Sequence, residues 1–233
     1  MNQPWLILDC PFLCWYIYYS TGNNPYRDND PKDIIYGFFR KLKNLQAMFF
    51  TEKVAFCFDL GKNKRSLIYP EYKKKKKLPT EEERKVKENV HKQVENLRTD
   101  YLPTLGYLNN FFQTGYEADD CIASIVQNNE GEFIIVSSDQ DLYQLISDNV
   151  SFWSPIRKKL LTKKFFMKKY KGLRPICWAR IKARSGCKSD NIKGIPRIGP
   201  ATAIKYELGT LKHHYKTYSI IKKDTGILRK NLP

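Results

Sequence analysis

Three short apolar runs punctuate the chain, and an aspartate follows each. Trp5-Leu6-Ile7-Leu8 precedes Asp9. Val54-Ala55-Phe56-Cys57-Phe58 precedes Asp59. Phe133-Ile134-Ile135-Val136 precedes Ser137, Ser138 and Asp139. Unbroken apolar runs of this length suit strands buried on both faces of a parallel sheet. Between them the period changes. Residues 33–50 carry Ile34, Ile35, Phe38, Phe39, Leu42, Leu45 and Phe49 near helical spacing, and residues 117–128 carry Ala118, Ile122, Ile125 and Val126. Strands alternating with helices predict an α/β fold with a central, mostly parallel sheet flanked by helices.

Two segments break this pattern. Residues 61–100 are polar and highly charged, with an unbroken lysine run from Lys73 to Lys77. Within them Thr80-Glu81-Glu82-Glu83 reads as a helix start, because Thr80 can cap and Glu83 can complete a capping box. The residues alone fit either a solvated helical excursion or a basic gateway for a strand. The second segment, residues 149–189, contains thirteen Lys or Arg and no Asp or Glu. A solvated face mixes signs, so a stretch of one sign points to phosphate contacts.

Composition agrees. The chain has 233 residues and 42% hydrophobic content, enough for one α/β domain with a small helical appendage. Its 41 Lys and Arg against 24 Asp and Glu give a formal net charge of +17, which favours capture of polyanions, nucleic acid foremost. An acidic membrane surface is the rival partner. However, no apolar stretch reaches the roughly 20 residues that cross a bilayer. No signal-peptide pattern opens the chain. The six cysteines are scattered, and no second pair or histidine cluster completes a zinc site with Cys10 and Cys14. A reducing, intracellular setting is expected.

Ligand sites in open parallel sheets lie at the carboxyl ends of the strands, so Asp9, Asp59 and Asp139 are expected to converge on one edge. Asp141 follows two residues after Asp139. Glu117-Ala118-Asp119-Asp120 opens a helix whose acids can face the same crevice. Any one acid at a helix start is ordinarily a cap or a dipole partner, a reading that explains the whole set poorly. Gathered carboxylates raise one another's pKa unless a cation neutralises them, and hard oxygen donors select Mg²⁺ or Mn²⁺. Two such ions about 4 Å apart would activate water and stabilise the leaving oxygen of a phosphodiester.

Near the C-terminus, Gly194 and Gly199 flank a tight turn in Asn191-Ile192-Lys193-Gly194-Ile195-Pro196-Arg197-Ile198-Gly199-Pro200-Ala201-Thr202-Ala203, and Pro200 suits a first helical turn. The G-[IV]-x-x-[IV]-G pattern before a helix marks the helix–hairpin–helix class, in which backbone amides approach phosphates.

Taken in order, these motifs resemble the 5′-nuclease superfamily: flap endonucleases, the 5′-nuclease domain of bacterial DNA polymerase I, and bacteriophage 5′→3′ exonucleases. The resemblance runs from Leu6 to about Gly209 through Ile7-Leu8-Asp9, Phe58-Asp59 with Arg65 and Tyr69-Pro70-Glu71-Tyr72-Lys73, Glu117-Ala118-Asp119-Asp120, Ser138-Asp139-Gln140-Asp141 and Lys188-Ser189-Asp190-Asn191-Ile192. It implies a PIN-like nuclease core over residues 1–155 that includes a helical arch at about 62–100. A basic helical region over 156–233 would carry the hairpin element at about 191–209.

By this resemblance Asp9, Asp59, Glu117, Asp119, Asp120, Asp139, Asp141 and Asp190 hold metal ions, directly or through water. Asp9, Asp59, Glu117, Asp119 and Asp139, with Arg65 and Lys73, are the catalytic candidates. Arg65 and Lys73 would stand at the base of the arch and place the scissile phosphate. Lys73, Lys74, Lys188, Lys193, Gly194, Ile195, Arg197, Gly199 and Thr202 are the expected DNA contacts. The cofactors implied are Mg²⁺ or Mn²⁺, two per site, with K⁺ at the hairpin. The partner implied is DNA with a free 5′ end or a single-strand/double-strand junction, engaged by a monomer in the cytoplasm, whether of a cell or of a phage host.

The sequence departs from the family at one place. Cys187 stands where the pattern Gly-Asp-x-x-Asp-Asn has its first aspartate, and Lys188 adds a positive charge beside it. A thiol is a poor Mg²⁺ ligand, so a weakened second metal is expected. That departure keeps open the alternative of a DNA-binding protein with a decayed site. A metal-dependent ribonuclease is a third reading, disfavoured by the hairpin.

Overall fold

The computed structural model describes residues 3–21, 32–74, 78–212 and 216–223. Lys75, Lys76 and Lys77 of the lysine run lie outside the described residues. In chain order the elements are β1 (Trp5–Asp9), α1 (Cys10–Thr21), α2 (Lys32–Phe49), β2 (Val54–Cys57), α3 (Arg65–Ile68) and α4 (Glu81–Asn96). A π-helical turn, Leu97–Tyr101, leads into α5 (Leu102–Thr104), β3 (Asn110–Phe111), α6 (Ala118–Asn128) and β4 (Phe133–Val136). Then come a 3₁₀ segment (Gln140–Leu145), β5 (Val150–Ser154), β6 (Lys159–Leu161), α7 (Lys163–Lys169) and α8 (Trp178–Ser185). The short β7 (Gly186–Cys187) and β8 (Ile192–Lys193) precede α9 (Pro200–Glu207) and α10 (Lys216–Lys223).

Six strands form a sheet in the order β3-β2-β1-β4-β5-β6. β1 pairs in parallel with both β2 and β4, and β2 pairs in parallel with β3. The expected α/β architecture is therefore observed. The register matters for the site: Asp9 lies opposite Cys57 and Leu8 opposite Val136. The carboxyl ends of the three apolar strands thus lie side by side. Every residue of β2 and β4 is buried, which explains why these strands read as continuous apolar runs.

The chain folds as two compact units. The first comprises residues 1–63, 76–138 and 153–159, and the second residues 64–75, 139–152 and 160–233. Residues 64–75 join the second unit because backbone bonds tie them there: the Lys73 N–H donates to the Asp190 carbonyl at 3.0 Å. The Tyr69 hydroxyl donates to the Asn191 carbonyl at 3.2 Å, and the Asn191 side-chain amide to the Glu71 carbonyl at 3.0 Å.

In the first unit Leu6, Leu8, Phe38, Leu42, Leu45, Phe56 and Phe58 are buried in one core. Leu13 and Ile17 of α1 and Val90 of α4 join it. α4 begins as its sequence foretold. The Thr80 hydroxyl accepts from the Glu83 N–H at 3.2 Å, while the Glu83 carboxylate accepts from the Thr80 N–H at 2.9 Å. No described helix is long and apolar enough to cross a membrane.

Candidate metal centres

The first unit carries five of the expected metal-binding acids. Asp9 ends β1 and is almost fully buried, at 6% exposure. Its two oxygens are oriented separately: one accepts the Phe12 N–H of α1 at 3.1 Å, the other the hydroxyl of the buried Ser137 at 2.7 Å. Asp59 is exposed two residues beyond β2, and its carboxylate accepts the Ala118 N–H at the start of α6 at 2.7 Å. Half-buried Asp120 accepts the Glu117 N–H at 2.9 Å, so the first turn of α6 holds its own acids in place.

Two thiols lie within electrostatic reach of these acids. Burial pushes the Cys57 thiol well above its ordinary pKa, and the charges of Cys121, Asp9 and Asp119 push further in the same direction. Burial likewise raises Cys121, with Asp120 and Asp59 adding to it. Asp9 and Asp119 thus lie within electrostatic reach of Cys57, and Asp59 and Asp120 within reach of Cys121, but among the described residues no three ligand atoms of these acids lie within 4.8 Å of one another. Glu117 caps α6. Each acid that binds a helix amide keeps lone pairs for a cation, because a carboxylate offers about four acceptor sites. The donor set is all oxygen and fits a hard divalent ion. His91 of α4 lies within electrostatic reach of Asp59, and its ring meets Trp15 edge-on at 6.5 Å. The sequence reading did not single out His91, since nothing local distinguishes a lone histidine on a charged helix.

The remaining expected acids belong to the second unit. Exposed Asp139 caps the 3₁₀ segment by accepting the Asp141 N–H at 2.8 Å. One ligand atom each from Asp141, Cys187 and Asp190 lies within 4.8 Å of the others. The Cys187 sulfur is 2.9 Å from the Ser189 hydroxyl. Burial raises the Asp141 carboxyl, opposed by its bond to Lys182. The Lys182 Nζ lies 2.7 Å from Asp141 Oδ1 and 3.9 Å from the Cys187 sulfur. Lys182 was absent from the expected site, because no motif links it to Asp141. The convergence expected for Asp9, Asp59 and Asp139 spans both units.

The hairpin region shows the predicted helix start: Gly199 caps α9 and Pro200 occupies its first turn. Two expected phosphate contacts have other duties. Ile195 is 2% exposed, and its N–H donates to the Arg184 carbonyl at 2.7 Å, so neither its side chain nor its amide faces a ligand. A Cβ on Gly194 would lie 2.3 Å from the Ser185 carbonyl carbon and 2.4 Å from the Gly186 nitrogen, so this glycine serves a close backbone approach. By contrast, a Cβ on Gly199 would meet nothing within 4 Å. Lys188, Lys193 and Arg197 are exposed around this segment, and Thr202 is half-buried on α9. Lys73 and Lys74 are also exposed, and Lys74 pairs with Glu71 at 3.1 Å. Arg65 is half-buried in α3.

These features can be set beside known proteins. Residues 4–171 match the family described as 5′-3′ exonuclease, N-terminal resolvase-like domain. A 5′-3′ exonuclease of Buchnera aphidicola subsp. Schizaphis graminum is 31% identical over 209 residues, covering 87% of this chain and 69% of the relative. The chain belongs to the 5′→3′ exonuclease family, a class of metal-dependent nucleases. Among solved structures, the bacteriophage T5 D15 protein co-crystallised with metal ions superposes with a TM-score of 0.80 at 21% identity, covering 98% of this chain and 88% of that one. The T5 D15 flap endonuclease in a pseudo-enzyme–product complex with DNA and metal ions gives 0.77 at 20% identity, covering 98% and 87%.

Proposed function

We propose that this 5′→3′ exonuclease also cuts flapped DNA, hydrolysing phosphodiester bonds near a single-strand/double-strand junction next to a free 5′ end. The observation that carries the reading is the register that ends β1 in Asp9 beside β2 and β4, with Asp59 just past β2 bound to the first turn of α6, in a chain of charge +17. An acidic pocket inside a basic protein matches a reaction in which a polyanion is drawn in by long-range charge and neutralised locally.

The donor set points to Mg²⁺ or Mn²⁺, with Glu117 completing it. Such an ion, when bound, lowers the pKa of a coordinated water and offsets the charge of the reacting phosphate. The protein's own contribution is to orient the donors. The Phe12 amide and the Ser137 hydroxyl fix the Asp9 carboxylate, and the Ala118 amide fixes Asp59, so little reorganisation is needed during reaction. Asp139 keeps the metal-holding role that the resemblance implies. Arg65 and Lys73 are assigned to placing the scissile phosphate. Residues 74–100 are assigned to the arch over the single-stranded arm.

Lys188, Lys193, Arg197, Gly199 and Thr202 are assigned to the duplex backbone, where exposed cations and an uncluttered helix N-terminus favour phosphate. K⁺ at the carbonyls of the 194–199 turn belongs to the same reading, and replacing K⁺ by Li⁺ in a duplex-binding titration checks it. The second divalent ion expected from the resemblance finds less support, because thiol and ammonium stand among the donors of the Asp141–Asp190 cluster.

The test is incubation of a 5′-labelled flap duplex with Mg²⁺ or Mn²⁺, beside single-stranded RNA and an EDTA control. Release of short 5′ products only with metal is the expected result. Binding without cutting, or cutting of the RNA instead, overturns the proposal.

A further inference from the structure

The second acidic cluster has the wrong chemistry for Mg²⁺ and the right chemistry for something the chain already owns. Asp141, Cys187 and Asp190 converge within 4.8 Å. They line a cavity of about 120 Å³ with Gln144, Lys182 and Ile192. Two of its donors are carboxylates, which repel each other in so small a space unless a positive charge lies between them. The third is a thiol, which is soft and uncharged in its protonated form, and poor for a hard cation.

A positive charge is already there. The Lys182 ammonium, from α8, lies 2.7 Å from Asp141 and 3.9 Å from the Cys187 sulfur. A doubly charged ion between the same carboxylates would face this ammonium across a few ångströms. There like charges repel more strongly than in open water, because the site is partly buried.

We propose that Lys182 serves as a built-in cation in place of a second divalent ion, neutralising Asp141 and Asp190 in a cluster where Cys187 has removed a carboxylate. The inference rests on the nuclease reading above, but it makes a separate claim: the divalent ions this chain holds do not depend on Asp190. Lys182 on this view is a charge-neutralising residue that does not touch the reacting atoms.

The test counts Mn²⁺ bound per chain at equilibrium on the whole protein, with Zn²⁺ as a second probe. Four proteins are compared: wild type, Asp190→Asn, the double variant Lys182→Met/Cys187→Asp, and that double variant with Asp190→Asn. Asp190→Asn alone is expected to leave the wild-type Mn²⁺ count unchanged. The double variant is expected to gain one ion, and Asp190→Asn to remove that ion again. If Asp190→Asn costs the wild type an ion, the proposal is overturned; this arm needs no change at Lys182 and stands even if the double variant fails to fold. A folded double variant that gains nothing, or a wild type that takes Zn²⁺ in an Asp190-dependent way, overturns it too. A wild type that binds no Mn²⁺ at all sinks the nuclease reading instead, so the two failures are distinguishable.

Discussion

The two acidic clusters of this chain were written in the same alphabet and have become different objects. At the strand ends of the first unit the acids are carboxylates alone, with Asp9 held by the Phe12 amide and the Ser137 hydroxyl and Asp59 by the Ala118 amide. Around Cys187 two carboxylates share space with a thiol, and one of them, Asp141, is paired with an ammonium at 2.7 Å. Charge that is left for a ligand to neutralise is available for metal-assisted chemistry, whereas charge already paired inside the protein contributes to the fold. Spacing between aspartates does not show that Asp141 meets an ammonium; the fold does.

The contrast can be broken most sharply at Asp59. Asp59→Ala is expected to abolish flap cutting with Mn²⁺ while leaving duplex binding in EDTA intact. A rate within about tenfold of wild type, roughly 1.4 kcal/mol of barrier, would show that the first cluster is not the reacting one. The second cluster depends on α8, which carries Lys182. Glu207 of α9 accepts from Arg184 at 2.5 Å and also pairs with Arg180. Glu207→Ala leaves a nearly buried guanidinium at residue 184 uncompensated, and a stability loss of about 3 kcal/mol by urea denaturation is expected.

Smaller effects sharpen the comparison around the hairpin. Gly194→Ala should cost about 2 kcal/mol, because the added methyl meets backbone atoms that cannot yield. Gly199→Val should leave stability within about 0.5 kcal/mol, since the position is open. Its effect should appear instead as weaker duplex binding in a low-salt titration; equal affinity would remove Gly199 from the interface. Smallest of all, Thr80→Ala removes one half of the α4 capping box and should lower protection of the first α4 amides against hydrogen exchange by about 1 kcal/mol.

How legible all this was depended on how local each signal is. β1, β2, β4, α2 and α6 could be read off because a buried strand or an amphipathic helix repeats its signature within a few residues. The capping box at Thr80 and the helix start at Pro200 are equally local. α1 was missed because it is apolar on nearly every side and shows no helical period, and β3 is only two residues long. Gly194 and Ile195 were read as ligand contacts because their pattern is the same whether a glycine admits a phosphate or a neighbouring backbone. His91 and Lys182 had no signal, since what distinguishes them is a partner remote in sequence.

The order of apolar runs and acids along the chain determined by itself that a parallel sheet would form and that aspartates would end its strands. Hydrophobic burial and strand alternation are enforced residue by residue, so they are written locally. Only the tertiary structure decided that Asp141 meets Lys182 and lies beside Cys187 and Asp190. Coulomb energies depend on separations of a few ångströms between groups that the chain brings together from far apart.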